Sequence, residues 1–310
     1  MREQPVSVGI ASSTPCAVPV NLDWYPAVLA RVNAAISTHL KALESTMGTH
    51  SSLREAVVYS LGLGGKRFRP VLVLECGRLA GGDEEAALPA AIAVECIHTF
   101  SLIHDDLPAM DDDELRRGQP CNHKVFGEAL AILAGDWLAA HAYALLVASY
   151  PAPQAAALVR ALTDGALGMV EGQGADIAGE RCATDVRLVD FIHLHKTARL
   201  IEASCRIGGL CAGADEPTLM ALGHFGRHLG LAFQIADDLL DATGSPATVG
   251  KRVGKDAAAA KQTYPAAFGV ERSRVRARQE IEAALEALRP LGAAAQRLRD
   301  LAHYVVNRDR

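Results

Sequence analysis

Hydrophobic residues recur at helical spacing along almost the whole chain. Val28, Val32 and Ile36 follow one another at four-residue intervals, which is the periodicity of one helix face. The same periodicity predicts ten helices, over residues 23–45, 51–63, 67–81, 84–107, 126–149, 154–178, 186–213, 216–243, 270–288 and 292–307. Clusters of Gly, Pro and Asp separate these segments, and the alternating β-branched runs typical of strands hardly occur. The sequence therefore predicts an all-α fold.

The predicted helices follow one another without a visible domain boundary. No fixed-period repeat and no shift in composition divides the 310 residues. We expect residues 21–310 to form one domain, a bundle of about ten helices. Residues 1–20 lack a continuous apolar run, so we expect a loose tail there rather than a signal peptide.

One predicted helix, residues 126–149, is apolar on every side. Its sequence EALAILAGDWLAAHAYALL predicts burial inside the bundle or against another subunit. Asp136 and His141 interrupt the segment, and we expect no membrane-spanning helix and no stable membrane association.

Charge and cysteine content exclude several classes of protein. The formal net charge of −5 disfavours a nucleic-acid-binding protein that neutralises phosphates. The seven cysteines are an odd number and include no C-x-x-C pair, so they favour reduced thiols in a cytoplasmic protein over disulfides or a zinc site.

An acidic cluster, QIADDLLD, lies within the apolar segment 216–243. Gln234, Asp237, Asp238 and Asp241 are spaced i, i+3, i+4 and i+7 and therefore share one helix face. Carboxylates this close repel each other in an apolar setting unless a cation compensates them. The alternative interpretation of this cluster is a solvated acidic helix end.

A second acidic cluster, DDLPAMDDD, lies at the end of the apolar helix 84–107. Pro108 cannot continue the helix, so we expect the chain to bend and bring Asp111 back towards Asp105. Carboxylates arranged in this way suit Mg2+, which prefers a few carboxylates together with substrate phosphates.

Basic residues accompany both clusters. Lys66, Arg67 and Arg69 lie at a loop-to-helix junction, a position that suits anion binding, and Arg116 and Arg117 follow the first acidic cluster. Further cations are Lys196 within 186–213 and, after the second cluster, Lys251, Lys255 and Lys261. Each alone could be a solvated surface charge, but together with the carboxylates they indicate metal-bridged binding of diphosphates.

These motifs resemble those of a known family. HTFSLIHDDLPAMDDDELRRGQP and QIADDLLD resemble the two aspartate-rich motifs of the trans-isoprenyl diphosphate synthases, and further blocks follow the family order: GGKRFRP, GQGAD, HKT and GKRVGKDAAAAKQTYP. The resemblance covers roughly residues 24 to 308. The four-residue spacer between Asp106 and Asp111 is similar to that of bacterial farnesyl and of bacterial and plant geranylgeranyl enzymes. The resemblance implies the isoprenoid synthase fold, with helices around a central active-site cavity.

The resemblance also implies a reaction, the head-to-tail 1′-4 condensation of an allylic diphosphate with isopentenyl diphosphate. Three Mg2+ ions, replaceable by Mn2+, would bind Asp105, Asp111 and Asp237. Asp241 is also assigned to the metal site, where it, Asp106 and Asp238 would act mainly through water or neighbouring groups. No protein nucleophile is needed, because the released diphosphate can take the final proton.

The remaining site residues are assigned through the same resemblance. Three cations would contact the allylic diphosphate: Arg116, Lys196 and Lys251. Four residues would form the isopentenyl diphosphate site: Lys66, Arg69, His98 and Arg117. The carbonyl of Thr197 and the side chain of Gln234 would face the allylic cation.

Other functions share part of this pattern. A terpene cyclase and a head-to-head synthase would lack the isopentenyl diphosphate site that Lys66, Arg69 and Arg117 suggest. A non-catalytic synthase subunit typically lacks one aspartate motif, whereas both are intact here. A di-iron bundle would need paired Glu-x-x-His motifs, which we do not find.

Product length is expected to depend on residues just before the first motif. Ser101 and Phe100 are four and five residues before Asp105, and the Phe100 ring could close the tunnel for the growing chain. We therefore expect farnesyl diphosphate (C15), with geranylgeranyl diphosphate (C20) as the alternative. The alternative role for Phe100 is that of a core residue turned away from the tunnel. Helix 126–149 and the resemblance together lead us to expect a homodimer.

Overall fold

A computed structural model describes residues 20–47, 51–180, 182–243 and 261–307. The first half contains α1 Tyr25–Thr46, α2 Ser52–Gly62, α3 Phe68–Leu79, α4 Glu84–Asp105, β1 Leu115–Arg116, β2 Gln119–Pro120, α5 Asn122–Phe126, α6 Glu128–Ser149 and α7 Ala152–Gly179. The second half contains α8 Val186–Ile192, a π-helical segment His193–Ala198, α9 Arg199–Cys211, α10 Glu216–Thr243, α11 Tyr264–Phe268, α12 Val270–Ala287, a 3-10 turn Arg289–Ala295 and α13 Gln296–Asn307. The all-α prediction is confirmed.

The differences from the predicted elements are short. A two-stranded hairpin forms after the first acidic cluster, because Arg117 and Gly118 both adopt positive φ, 55° and 78°, and reverse the chain between the strands. The predicted helix 186–213 is divided by the π segment. Two five-residue helices, α5 and α11, were not predicted, and Gly127 at φ 82° separates α5 from α6.

Helix α4 continues through an internal proline, beside which a side-chain hydroxyl is inserted into the backbone hydrogen bonds. Pro89 has no N–H to donate, and the hydroxyl of Tyr150 enters the helix beside it. This hydroxyl donates to the Ala86 carbonyl at 2.7 Å and accepts from the Ala90 N–H at 3.2 Å. The helix that carries the first acidic cluster is therefore continuous over 22 residues.

Close helix packing places the π segment between α7 and α10. A Cβ on Gly172 of α7 would lie 2.1 Å from the Lys196 nitrogen, and a Cβ on Gly230 of α10 would lie 2.5 Å from the Ala198 Cα. Only glycine permits this approach from both sides. The absence of two side chains thus positions the segment that contains Lys196 and Thr197.

Helix α6 is buried on one side only. Leu133 and Val147 are 50% and 64% exposed, and Ala140 and Ala144 are exposed on the same helix face. Burial of the whole helix inside the bundle, one of the two predicted outcomes, is therefore wrong for this face. By length and composition α4 and α6 could both cross a bilayer, contrary to our expectation, although most of the apolar part of α4 is buried in the bundle.

The cysteines of the described ranges are all free: Cys76, Cys96, Cys121, Cys182, Cys205 and Cys211. Cys16, together with residues 1–19 of the predicted tail, lies outside the described residues.

Candidate active site

The first acidic cluster folds back on the end of α4, as Pro108 predicts. Helix α4 ends at Asp105, and the Asp111 N–H donates to the Asp105 carbonyl oxygen at 2.8 Å. Asp112 adopts a positive φ of 47° in this turn. The predicted return of Asp111 towards Asp105 is confirmed.

The Asp105 carboxyl lies where a negative charge is unfavourable. Burial raises its pKa to about 6, with Asp111 and Asp106 raising it further and Lys196 opposing them. Burial and the neighbouring carboxylates disfavour the ionised form of Asp105. A bound cation would offset both effects, so the site is suited to bind one.

The next aspartate, Asp106, has a different environment. It is 3% exposed, and Arg116 forms a fork-like pair with it in which Nε donates to Oδ1 at 3.0 Å. Arg116 also lies 3.4 Å from Asp113. Asp106 therefore positions Arg116, whose predicted contact with the allylic diphosphate stays a prediction.

The second acidic cluster occupies the last turns of α10. Asp237 and Asp241 are half-buried, whereas Asp238 is 3% exposed. The cluster therefore is not a fully solvated helix end. The four groups share a helix face in the sequence pattern, but their environments differ.

Asp238 is held by three donors inside the protein. Its Oδ2 accepts from the Tyr264 N–H at 3.0 Å and lies 2.9 Å from His193 Nε2, and its Oδ1 accepts from Gln234 Nε2 at 3.0 Å. These contacts occupy both carboxylate oxygens and leave Asp238 a structural role beside Asp237.

The π segment meets α10 at Thr197. The Thr197 hydroxyl donates to Gln234 Oε1 at 2.7 Å, which joins the two residues that the sequence analysis placed near the allylic cation. A π-helical turn changes the direction of its carbonyls and is frequent at functional sites. The structure brings Thr197 and Gln234 together.

Ion pairs connect the first acidic cluster to Asp176 of α7 across the cleft. Lys261 Nζ lies 2.9 Å from Asp111 Oδ1 and 3.8 Å from Asp176 Oδ2, and Lys196 Nζ donates to the same Asp176 oxygen at 2.5 Å. The polar cleft between α7, the π segment and α10 is lined by Asp176, His193, Lys196, Thr197, Gln234 and Lys261, among others. Two ammonium groups thus lie between carboxylates from different elements, an arrangement that suits a highly charged anion with its cations.

A second group of cations lies at the loop before α3. Arg69 Nη1 is 3.3 Å from His98 Nε2, which joins two residues of the predicted isopentenyl diphosphate site. Burial together with the nearby Arg69 and Arg117 holds the pKa of His98 well below its usual range, so the ring is neutral and can accept from Arg69. Burial lowers the pKa of Arg69 to about 10, which leaves it charged.

Two glycines bring Arg117 to the same loop. Gly64 and Gly65 have φ of 75° and 116°, and a Cβ on Gly65 would lie 2.7 Å from the Arg117 guanidinium carbon. Arg117 donates to the Gly64 carbonyl. Lys66 is exposed in this loop, and its carbonyl accepts from the Tyr25 hydroxyl at 2.6 Å.

A buried ion pair, Arg67–Glu95, lies next to Arg117 of this group. Arg67 Nη1 lies 2.6 Å from Glu95 Oε1, and both side chains are 1% exposed. Glu95 also lies 3.8 Å from Arg117 Nη2. Arg67 is therefore a structural cation, and Glu95 anchors it beside the anion site.

The two residues assigned to product length lie on different sides of α4. Ser101 is close in angle to Asp105, and its hydroxyl donates to the His98 carbonyl at 2.9 Å. Phe100 is about 140° from Asp105 around the helix, and its ring lies edge-on to His104 at 5.2 Å. Phe100 thus faces α6, where His104 Nε2 lies 3.0 Å from the Ile132 carbonyl.

The structure adds two residues that the sequence analysis did not name, Asp176 and His193, and it places Lys261, named there only among the further cations, in direct contact with Asp111. Asp176, Lys261 and His193 contact the predicted site residues directly. Asp176 belongs to the GQGAD block and His193 lies three residues before Lys196, so proximity to family motifs was the available signal. Lys251 and Lys255 lie outside the described residues.

Comparisons with known proteins agree with this geometry. A family model described as polyprenyl synthetase matches residues 50–300. The chain is 43% identical over 284 residues to the farnesyl diphosphate synthase of Geobacillus stearothermophilus, which covers 90% of this chain and 94% of that protein. It is 44% identical over 281 residues to the chloroplastic geranylgeranyl pyrophosphate synthase of Catharanthus roseus, covering 87% and 78% of the two chains. The crystal structure of geranylgeranyl pyrophosphate synthetase from Pyrococcus horikoshii superimposes with a TM-score of 0.83 at 31% identity, covering 92% of this chain and all of that one.

Proposed function

Because the chain belongs to the polyprenyl synthetase family, we propose that it is a short-chain trans-prenyltransferase that makes farnesyl diphosphate from isopentenyl and allylic diphosphates. The observation that carries this proposal is that two separate sites suited to diphosphates lie along α4. Asp105 at its end faces the Lys196–Asp176–Lys261 ion pairs, and His98 two turns earlier meets Arg69. Two separate sites for diphosphates are what a condensation of two diphosphates requires.

The residues of the first site fit Mg2+. Asp105, Asp111, Asp237 and Asp241 offer hard carboxylate oxygens, and the raised pKa of Asp105 indicates a site that a cation would stabilise. Among the described residues no three His, Cys, Asp or Glu side chains are arranged to hold a metal ion by themselves. Mg2+ would take its remaining ligands from water and substrate phosphates. When bound, Mg2+, or Mn2+ in its place, would supply Lewis-acid stabilisation of the departing diphosphate.

The protein's own groups bind and orient the two substrates. Lys196 and Lys261 would exchange Asp176 and Asp111 for the allylic diphosphate, with Arg116 and Lys251 as further contacts. Arg69, neutral His98, Arg117 and Lys66 would hold isopentenyl diphosphate, so that its double bond faces the allylic carbon. Thr197 and Gln234 offer oxygen atoms next to the positive charge that develops there.

Incubation with isopentenyl and geranyl diphosphates plus Mg2+ tests the function directly. We expect farnesyl diphosphate as the main product. Hydrolysis or cyclisation of geranyl diphosphate without consumption of isopentenyl diphosphate would instead indicate a terpene cyclase. A head-to-head product would indicate a head-to-head synthase. No turnover without a second, different chain would indicate a subunit of a heteromer.

Product length is tested at Phe100. We expect Phe100→Ala, in excess isopentenyl diphosphate, to shift the main product from C15 to C20 or longer, because removal of the ring opens space beside α4. Ser101→Phe, on the side nearer to Asp105, is the matched variant and is expected to shift the product to C10. An unchanged product distribution in Phe100→Ala would make Phe100 a core residue only, and C20 from the wild type would establish the alternative function.

We also propose that the exposed face of α6 is covered by a second copy of the chain. Leu133, Ala140, Ala144 and Val147 form an apolar strip, and exposed apolar strips of this kind usually mark interfaces. Light scattering at micromolar concentration is expected to give the mass of a dimer for the wild type and of a monomer for Leu133→Glu. Met220→Glu, on α10 at a similar 51% exposure, is the control that should stay dimeric. A monomeric wild type that sediments with lipid vesicles would show that α6 meets a membrane instead.

We place the protein in the cytoplasm, with small diphosphates and no nucleic acid as partners. The six free thiols of the described residues and the net charge of −5 support this proposal.

A further inference from the structure

The side chain of Gln262 is buried between the end of α7 and the start of α8, where it is 3% exposed. Its Oε1 accepts from the Asp185 N–H at 3.0 Å. Its Nε2 donates to the Gly179 carbonyl at 3.0 Å and to the Cys182 carbonyl at 3.4 Å. Because an N–H can only donate and a carbonyl can only accept, these partners fix the orientation of the amide. One side chain therefore connects the segment before α11 to three backbone groups of the α7–α8 connection.

The last residue of α7 leaves the space that this side chain occupies. A Cβ on Gly179 would lie 3.1 Å from Gln262 Cγ and 2.9 Å from Leu188 Cδ2. Both distances are shorter than the optimal separation of two carbon atoms, so a larger residue would displace the Gln262 stem or Leu188. The position of the amide therefore depends on Gly179 as well as on its own hydrogen bonds.

The residues that follow Gln262 are attached to the bundle as well. The Thr263 hydroxyl caps α11 by accepting from the Ala266 N–H at 3.3 Å. The Tyr264 N–H donates to a carboxylate of α10 at 3.0 Å. Gln262 is thus the contact of this segment that lies closest in sequence to Lys261, which directly precedes it.

Lys261 extends from this segment into the cleft. Its Nζ lies 2.9 Å from Asp111 Oδ1 and 3.8 Å from Asp176 Oδ2. A lysine side chain is a flexible four-carbon stem, so the position of its backbone determines which places the ammonium group can reach. Lys196 and Arg116, which we assign to the same diphosphate, belong to the π segment and to the hairpin. A loss of the amide contacts would therefore act on Lys261 and leave those two cations in place.

We propose that Gln262 is a positioning residue, which holds the backbone of Lys261 so that its ammonium group is in place before the allylic diphosphate binds. This proposal rests on the prenyltransferase function above. Gln262 contacts no reacting atom in it and acts only through Lys261. A cation that is held in place beforehand loses less conformational freedom when the substrate binds, and the affinity for that substrate rises accordingly.

The positioning role is tested by kinetics with a matched control on the same helix. Gln262→Met keeps the length of the side chain and removes the amide. Gln154, at the other end of α7, also donates from Nε2 to two backbone carbonyls, those of Leu210 at 3.1 Å and Cys211 at 3.2 Å. We expect Gln262→Met to raise KM for geranyl diphosphate roughly 3–10-fold and to change KM for isopentenyl diphosphate by less than about twofold. Gln154→Met is expected to change neither constant.

The two KM values decide whether the effect is specific. An unchanged KM for geranyl diphosphate in Gln262→Met would overturn the proposal. An equal rise of both KM values would also overturn it, because a general loss of packing would affect both substrate sites. The same rise in Gln154→Met would show that any lost amide contact on α7 has this effect.

Two further variants separate positioning from a loss of stability. Gly179→Ala keeps the amide but displaces its stem, so it is expected to raise KM for geranyl diphosphate in the same direction, and it serves if Gln262→Met does not fold. In a Lys261→Met background, Gln262→Met should have little additional effect on this KM, because the ammonium group through which it acts is gone. Fully additive effects of the two substitutions would overturn the proposal.

A binding measurement without turnover distinguishes this proposal from the proposed function. Calorimetric titration with inorganic diphosphate, with and without Mg2+, gives the Mg2+-dependent part of the binding. We expect Gln262→Met to weaken that part roughly 3–10-fold and Gln154→Met to leave it unchanged. Unchanged binding in Gln262→Met would overturn the positioning role. A wild type that shows the expected binding but does not condense the two substrates would contradict the proposed function instead.

Discussion

Replacing Asp105 or Asp237 by alanine is expected to lower kcat/KM by about 10²–10³-fold or more, and EDTA is expected to abolish turnover. Both residues belong to the proposed metal site, one from each acidic cluster. Without either carboxylate the cations that neutralise the departing diphosphate would be held from one side only.

The same variants are expected to remain folded. Burial raises the pKa of Asp105 to about 6, above its unfolded value, so its contribution to stability is full below about pH 4 and is lost as the pH rises through 6. At neutral pH the ionised group therefore opposes folding. Asp105→Ala removes that penalty, and its melting temperature at pH 7.5 should be equal to or higher than that of the wild type.

Paired measurements make this prediction specific to the site. Circular dichroism and thermal melting at pH 7.5 report the fold, and steady-state kinetics over a Mg2+ series report the metal. Glu282→Ala removes an exposed carboxylate of α12 and should change neither. Near-normal turnover of Asp237→Ala at limiting Mg2+ would show that the second cluster does not hold a catalytic metal.

The bundle could be predicted because helical periodicity and turn residues agree along the chain. All ten predicted helical regions contain helix, and Pro108 correctly predicted the return of Asp111. The hairpin was missed since its turn is made by Arg117 and Gly118, and Arg117 is a residue that rarely takes positive φ. The π segment could not be predicted either, because its geometry depends on packing against Gly172 and Gly230 of two other helices.

The site was predictable in its motifs and not in its partners. Thr197 and Gln234, or Arg69 and His98, could be paired only through a family resemblance, since each pair joins distant parts of the chain. The sequence pattern places Asp237 and Asp238 on one helix face, so it could not distinguish their roles. Burial distinguishes them, because Asp238 is 3% exposed and Asp237 is half-buried. Burial of this kind is a property of the folded bundle.

The largest loss of stability is expected from Arg67→Met. This variant would leave Glu95 buried without its strongest partner, since Arg67 and Glu95 are both 1% exposed and lie 2.6 Å apart. Removing one member of a buried ion pair typically costs about 3–5 kcal/mol. Arg67 also donates from Nη2 to the Leu61 carbonyl at 2.7 Å, and this acceptor would lose its donor as well.

A surface pair of the same chemistry provides the control. Arg31 pairs with Glu84 between α1 and the start of α4, where the two side chains are 45% and 24% exposed. Exposed pairs contribute about 0–1 kcal/mol, so Arg31→Met should hardly shift the urea midpoint, measured at one fixed protein concentration. Equal shifts in the two variants would mean that burial does not determine the strength of the Arg67–Glu95 pair.

The double variant Arg67→Met/Glu95→Leu separates folding from substrate binding. It replaces the buried ion pair by apolar groups of similar size, and such replacements often restore stability. Glu95 also lies 3.8 Å from Arg117, so the double variant is expected to recover much of the urea midpoint while Arg117 loses its anchor. KM for isopentenyl diphosphate in the double variant should then exceed the wild-type value, although the protein is well folded. Recovery of both stability and KM would restrict Glu95 to a partner of Arg67, with no part in the arrangement of the anion site.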